Sequence, residues 1–279
     1  MERALLVSVL LVESLVLLFV AKLLWGLVLR RNVDQELTTH DNPAAAITVS
    51  GYFLGVFIAL TGVMGSPSQG LLKDALGFGA FGLAGVVLLF LSVFGAPLVG
   101  GVKLRRDIVE NRNVGSALVL LASFVATGLI FAGAVRGEGA GPMAWVTLLV
   151  FQLVGQVLLA LTAQLFKLMT RFKLHDEIAQ ARNTAAAVGF AGALVAIGIV
   201  LNRAVAGSFA GWTTSLGGVL IYSLPLLLLW PVRALVVNGL LLGFKGLDRE
   251  IAVDRNVGAG VVEASAYIGL ALLAVTAAH

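Results

Sequence analysis

Residues Glu250-Ile251-Ala252-Val253-Asp254-Arg255-Asn256-Val257-Gly258-Ala259-Gly260 form a stretch that the chain writes four times. Its asparagine recurs as Asn42, Asn113, Asn183 and Asn256, at intervals of 71, 70 and 73 residues. Six positions ahead of each stands an acid: Glu36, Asp107, Glu177 or Glu250. Five ahead stands an aliphatic residue (Leu37, Ile108, Ile178, Ile251), and immediately ahead stands Asp41, Arg112, Arg182 or Arg255. Small residues follow at positions two to four: Ala44-Ala45-Ala46, Gly115-Ser116-Ala117, Ala185-Ala186-Ala187 and Gly258-Ala259-Gly260. Self-similarity at a fixed period marks a repeat architecture, so one unit is used four times.

The solvent of that unit follows from composition. The chain is 59% hydrophobic and 12% charged, with mean hydropathy +1.00, against roughly a quarter charged in a soluble domain. That much apolar surface has no single water-soluble core to hide in, so the lipid bilayer is the expected partner. The net charge of +4 and pI near 9.7 do not imply nucleic acid, because Lys and Arg sit mostly in short loops between apolar runs. With no cysteine, disulfides, thiolate metal sites and thiol catalysis are excluded. The apolar run to Leu29 is longer than the ~7–15 residues of a signal-peptide core and has no small-residue cleavage site before Arg30-Arg31, so it reads as a retained spanning helix.

Crossing a bilayer takes about 20 apolar residues in a helix. Eight segments qualify: 4–29, 43–64, 75–101, 114–135, 143–170, 184–205, 216–244 and 257–277. None alternates as a barrel strand does, so the expected fold is an all-α polytopic membrane protein with eight transmembrane helices. Residues 65–72 and 206–218 read as outer loops. Thirteen Lys and Arg (Arg30, Arg31, Lys103, Arg105, Arg106, Arg112, Lys167, Arg171, Lys173, Arg182, Lys245, Arg249, Arg255) lie on the motif side, against Arg3, Lys73, Arg136 and Arg203 on the other. The positive-inside rule then puts the motif in the cytoplasm and both termini outside. All four two-helix repeats share that orientation and are parallel, about an axis along the membrane normal. They form two four-helix halves, 1–140 and 141–279, joined near Gly137–Gly141.

Asparagine is a strong helix N-cap, and Asn42-Pro43 adds proline at the first helical position. The second helix of each repeat should therefore begin at the Asn. Two readings of the motif stand side by side. In one the four Asn are caps, replaceable by Ser or Asp, with the acids pairing to the preceding Arg. In the other, the Asn and acids ring an ion-selective mouth. Nine and thirteen positions past each Asn stand Gly51/Gly55, Ala122/Ala126, Gly192/Ala196 and Ser265/Gly269, a small-xxx-small spacing that lets membrane helices pack closely. Pro97, Pro225 and Pro231 should kink the first helix of their repeats.

Ionisable or amide groups within the apolar runs are Glu13, Lys22, Gln152, Gln156, Gln164, Arg233, Asn238 and Glu263, and such groups are functional candidates. Lys22 and Glu263 lie roughly 12 and 10 Å in from the motif face at 1.5 Å per residue, so they would pair if the repeats closed into a ring. Glu13 matches Gln152 in depth. His40, His175 and His279 do not occupy equivalent repeat positions, and no metal site, cofactor site or catalytic motif is expected.

The stretches Asp41-Asn42-Pro43-Ala44-Ala45-Ala46-Ile47, Glu177-Ile178 through Arg182-Asn183-Thr184-Ala185-Ala186-Ala187 and Asp254-Arg255-Asn256-Val257-Gly258-Ala259-Gly260 resemble the bacterial inner-membrane family of domain of unknown function 350, the YjfL-like proteins, as two tandem copies. The resemblance implies a bacterial inner membrane, a helical fold and a link to envelope stress, and it implies no chemistry. Three functions are weighed: a small-cation channel or transporter, a structural or scaffolding protein that recruits cytoplasmic partners through basic loops, and a membrane enzyme, for which an intramembrane acid without nucleophile, metal triad or cofactor motif is thin support. A homo-oligomer is compatible with each.

Overall fold

The computed structural model describes residues 2–29, 33–65, 69–136, 141–243 and 246–277. Arg30, Arg31, Lys245, His279 and the junction at 137–140 lie outside them. The helices are α1 (Glu2–Leu29), α2 (Val33–Thr38), α3 (Pro43–Met64), α4 (Leu71–Ser92), α5 (Ala96–Val99), α6 (Val114–Ala134), α7 (Pro142–Met169), α8 (Thr184–Val205), α9 (Trp212–Tyr222), α10 (Leu229–Pro231), α11 (Leu247–Ala252) and α12 (Val257–Ala277). No strand occurs among the described residues. Eight helical segments are long and apolar enough to cross a membrane: Ala4–Val28, Pro43–Met64, Leu71–Val99, Val114–Ala134, Pro142–Met169, Thr184–Val205, Trp212–Leu241 and Val257–Ala277. The chain is a multi-pass membrane protein.

The third and seventh segments start four residues earlier than expected, and the assumed loops are correspondingly shorter. Polar residues in the first turn of each helix reach back to the entering chain. Asp74 accepts from the Gln69 amide at 2.8 Å and Ser215 Oγ from the Ala210 amide at 3.1 Å, satisfying donors ahead of the first turn.

The four helices that begin at the Asn form one row, α3 on α6 on α8 on α12. Their small residues make the contact. A Cβ at Gly51 would strike Leu121, one at Gly62 Ala132, one at Gly128 the Gly55 backbone, one at Gly198 Ala126, and one at Gly192 Ala264. The stripe is therefore packing surface, as its spacing predicts. Flanking the row, α1 and α4 pack on each other and on α3, α7 packs on α6 and α8, and α9 on α8. Two aromatic clusters fill the angles: Trp25, Tyr52 and Phe124, and then Phe166, Phe190 and Tyr267.

The expected ring does not close. No packing comparable to that within the row joins α12 back to α1 or α3. The row is an open array with two ends.

Proline breaks two of the flanking helices. A 3-10 turn at Val93–Gly95 precedes Pro97, and another at Leu224–Leu228 contains Pro225. Pro231 is followed by a π-helical stretch, Val232–Leu241. A proline removes an amide donor and crowds the preceding turn, so the ladder resets around it.

Candidate functional site

Each motif folds as a short helical turn that ends three or four residues before the Asn: α2, Leu104–Glu110, Asp176–Gln180 and α11. In all four the Asn backbone amide donates to the acid's carbonyl: Asn42 to Glu36 at 3.1 Å, Asn113 to Asp107, Asn183 to Glu177 and Asn256 to Glu250 at 2.8 Å. Closing that loop forces the preceding residue into the left-handed region, with φ of 45° at Asp41, 49° at Arg112, 53° at Arg182 and 50° at Arg255. Non-glycine residues rarely take this conformation. A fourfold recurrence marks it as built into the motif.

The Asn side chain then works at both ends. Its Oδ1 caps the next helix, accepting from Ala44 and Ala45, from Ser116, from Ala186 and from Ala259 at 3.1–3.3 Å. Its Nδ2 donates to the acid of its own repeat in three cases: Asn42 to Glu36 at 3.2 Å, Asn183 to Glu177 and Asn256 to Glu250 at 2.9 Å. It also reaches the next repeat. Asn42 donates to the Ile108 carbonyl at 3.1 Å, Asn113 to that of Ile178 at 2.8 Å, and Asn183 to that of Ile251 at 2.8 Å. The recurring position of the aliphatic residue thus places a carbonyl. These three Asn are each 1% exposed. Asn256, at the end of the row, is exposed.

Asp107 differs because its side chain is one methylene shorter than Glu. It folds back onto the Lys103 amide (2.8 Å) and Arg106 Nε (2.7 Å). The hydrogen bond and charge of Asp107 hold the Arg106 guanidinium above its ordinary pKa. In the three repeats with an Arg immediately before the Asn, no ion pair joins it to Asp107, Glu177 or Glu250 among the described residues, contrary to expectation. Those Arg sit on the left-handed residue with exposed side chains. The structure uses the motif as cap and inter-repeat clasp.

The fourth repeat carries a different constellation. Glu263, seven positions past its Asn and 2% exposed, stands where the other repeats have Val49, Leu120 and Phe190. Arg233, on the π-helical stretch after Pro231, donates through Nε to Glu263 at 2.8 Å and through Nη2 to Asp248 at 2.6 Å. Tyr267 Oη donates to Glu263 at 3.1 Å. Gly189 of α8 leaves room for the carboxylate, since a Cβ there would collide with Glu263 Oε2. Arg233 and Asp248 line a cavity of about 420 Å³ with Arg171, Asn238, Gly246 and Arg249, and Asn238 Oδ1 holds the Leu247 amide at 3.0 Å. Two carboxylates share one guanidinium, Glu263 in the protein interior and Asp248 at the cavity wall.

This replaces the expected partner of Glu263. Lys22 pairs instead with Asp34 at 2.8 Å on an exposed surface, because the row is open and α1 lies at its far end from α12. Depth matching inside the α9–α12 hairpin, where Arg233 and Glu263 are both intramembrane, is the signal that could have found the pair. Asp248, in the first turn of α11 and outside the apolar runs, offered none. Glu13 and Gln152 form no hydrogen bond with each other, and Glu13 Oε2 and Gln152 Oε1 are buried without a partner. Gln164 donates to the Leu98 carbonyl, tying α7 to the kink at Pro97.

Fold and motif together define a multi-pass helical membrane protein of tandem parallel repeats, with one buried charge cluster in its last repeat. The profile of the family described as Domain of Unknown Function (DUF350) matches residues 2–135 and again 142–278. The chain belongs to that family and carries two tandem copies of its domain. No curated protein and no solved structure matches it.

Proposed function

We propose that the chain is a small-cation transporter of a bacterial inner membrane, with Glu263 as the exchanging carboxylate. The observation that carries this is a buried acid on a spanning helix, paired to an arginine that a second acid also holds at the wall of an open cavity. Intramembrane ionisable groups mark ion or proton paths, and broken or π-helical segments favour such sites. A proton or alkali ion arriving at Glu263 would release Arg233 toward Asp248, and its departure would restore the pair. The excess of Lys and Arg on the motif side supports a cytoplasmic cavity and outward termini.

The test is flux of H⁺, Na⁺ and K⁺ in proteoliposomes holding the pure protein. Transport by wild type that Glu263→Gln abolishes, with folding intact, is the expected outcome. No flux above empty vesicles, or flux untouched by Glu263→Gln, rejects the reading. A second reading, a scaffold in envelope stress that recruits cytoplasmic partners through its basic loops, has its own support: three of the four motif Asn are buried between packed repeats and line no central pore. Absence of flux for every cation would favour it.

A further inference from the structure

The row of α3, α6, α8 and α12 uses one interface three times, in one register. Counting from each Asn, position two of one helix meets position four of the next: Gly115 with Ala187, Ala185 with Gly260. Position nine meets eight (Gly51 with Leu121, Gly192 with Ala264), and thirteen meets fifteen (Gly55 with Gly128, Ala126 with Gly198). Every crossing carries an Asn Nδ2 to the aliphatic carbonyl of the following repeat. An interface that joins two different faces leaves one of each over when the array stops.

Both leftovers are exposed. On α12, Gly258, Ser265 and Gly269 face outward. Gly269 has nothing within 4 Å, and Gly258 has only its own Asn256 cap oxygen, whereas Gly115 also touches Ala187 Cβ at 3.3 Å. Asn256 is the one motif Asn that is exposed, with Nδ2 donating to Glu250 alone. On α3 the opposite face shows Ser50, Leu54 and Phe57, and Leu37 stands at the position whose carbonyl accepts in every other repeat. Surfaces that meet lipid elsewhere are lined with large residues, such as Leu149, Leu153, Val157 and Leu161 on α7. Lipid gains nothing from a Gly/Ser stripe, and glycine weakens a helix. A second helix gains close approach.

We propose that this α12 face docks on the outer α3 face of a second copy of the chain, continuing the row head to tail, with Asn256 donating to the Leu37 carbonyl of that copy. Both helices run the same way through the membrane, so copies related by rotation about its normal can meet this way. Such a contact between unlike faces builds a ring where its rotation closes and an open row where it does not. Phe57 stands where the inner helices have Gly128, Gly198 and Ala271. Copies therefore sit farther apart than internal repeats, with the Phe57 ring against the open surface of Gly269.

The absence of cysteine makes the test direct. Ser50→Cys and Ser265→Cys, on differently tagged chains, are co-expressed and oxidised in native membranes. The expected product is a cross-linked dimer carrying both tags, while each variant expressed alone stays uncross-linked. Adding Gly269→Trp to the Ser265→Cys chain should reduce the product at least tenfold and leave monomer melting unchanged. Gly258→Cys with Ala46→Cys repeats the readout at the next contact, should either serine variant fold poorly. Cross-linking by Ser265→Cys alone would indicate a symmetric α12 pair and overturn the proposal, as would no cross-link from either cysteine pairing or a yield indifferent to Gly269→Trp.

Discussion

Replacing Asn183 with alanine removes one side chain and three hydrogen bonds from a site that is 1% exposed: the cap to Ala186, the bond to Glu177 and the clasp to Ile251. Loss of the cap is worth about 1 kcal/mol. The Ile251 carbonyl is then buried without a donor, a further loss of about 1–3 kcal/mol. Glu177, half-buried, loses a charge-assisted bond worth about 1 kcal/mol after allowing for its remaining access to water. The expected total is about 3–5 kcal/mol. Asn256→Ala makes the internal control: its site is exposed, has no following repeat and keeps a 3.3 Å cap, so about 1 kcal/mol is expected in the detergent-solubilised monomer. Unfolding of both variants in mixed micelles, followed by circular dichroism against denaturing detergent, gives the comparison. Equal losses, or an Asn183→Ala loss below about 1 kcal/mol, would refute the clasp. The same geometry corrects the expectation that Asp or Ser could replace Asn183. Neither supplies the Nδ2 donor, and Asp would set a second carboxylate against Glu177, so both should destabilise.

Gly128→Ala, whose Cβ would meet the Gly55 backbone, should cost about 1–3 kcal/mol by overpacking, against no loss for Gly269→Ala in the monomer, as thermal melts in detergent would report. Arg233→Met strands the buried Glu263 and should cost about 3–5 kcal/mol; Glu263→Gln still accepts from Arg233 and Tyr267 and should cost less, and the reverse order in the same melts would contradict the cluster. A charge swap between Lys22 and Glu263 should give no recovery in the double variant. Arg182→Gly, at φ 53°, should hold or raise stability, while Arg182→Val should lower it, because only glycine takes that conformation freely. Reporter fusions after Leu104 and Leu174 should score cytoplasmic and one after Gly139 external; the opposite pattern would invert the proposed orientation.

Segment number, helix starts at the four Asn and the small-residue stripe were legible in the amino-acid order, because each depends on local or periodic chemistry. An apolar run long enough to span needs no partner to be recognised, and an N-cap acts within its own first turn. The left-handed Asp41, Arg112, Arg182 and Arg255 left no such trace: arginine has no preference for that conformation, which is imposed by the bond from the Asn amide to the acid's carbonyl. Which carbonyl Nδ2 meets was likewise beyond reach, since donor and acceptor lie 65 or more residues apart and meet only when neighbouring repeats pack. Depth along a helix is readable from residue number at a fixed rise, and it put Lys22 and Glu263 at one level. Lateral neighbours are not, because a fourfold repeat can close into a ring or stop as an open row with the same periodicity. Packing at the two ends decided that, and with it that Glu263 answers to Arg233 and not to Lys22.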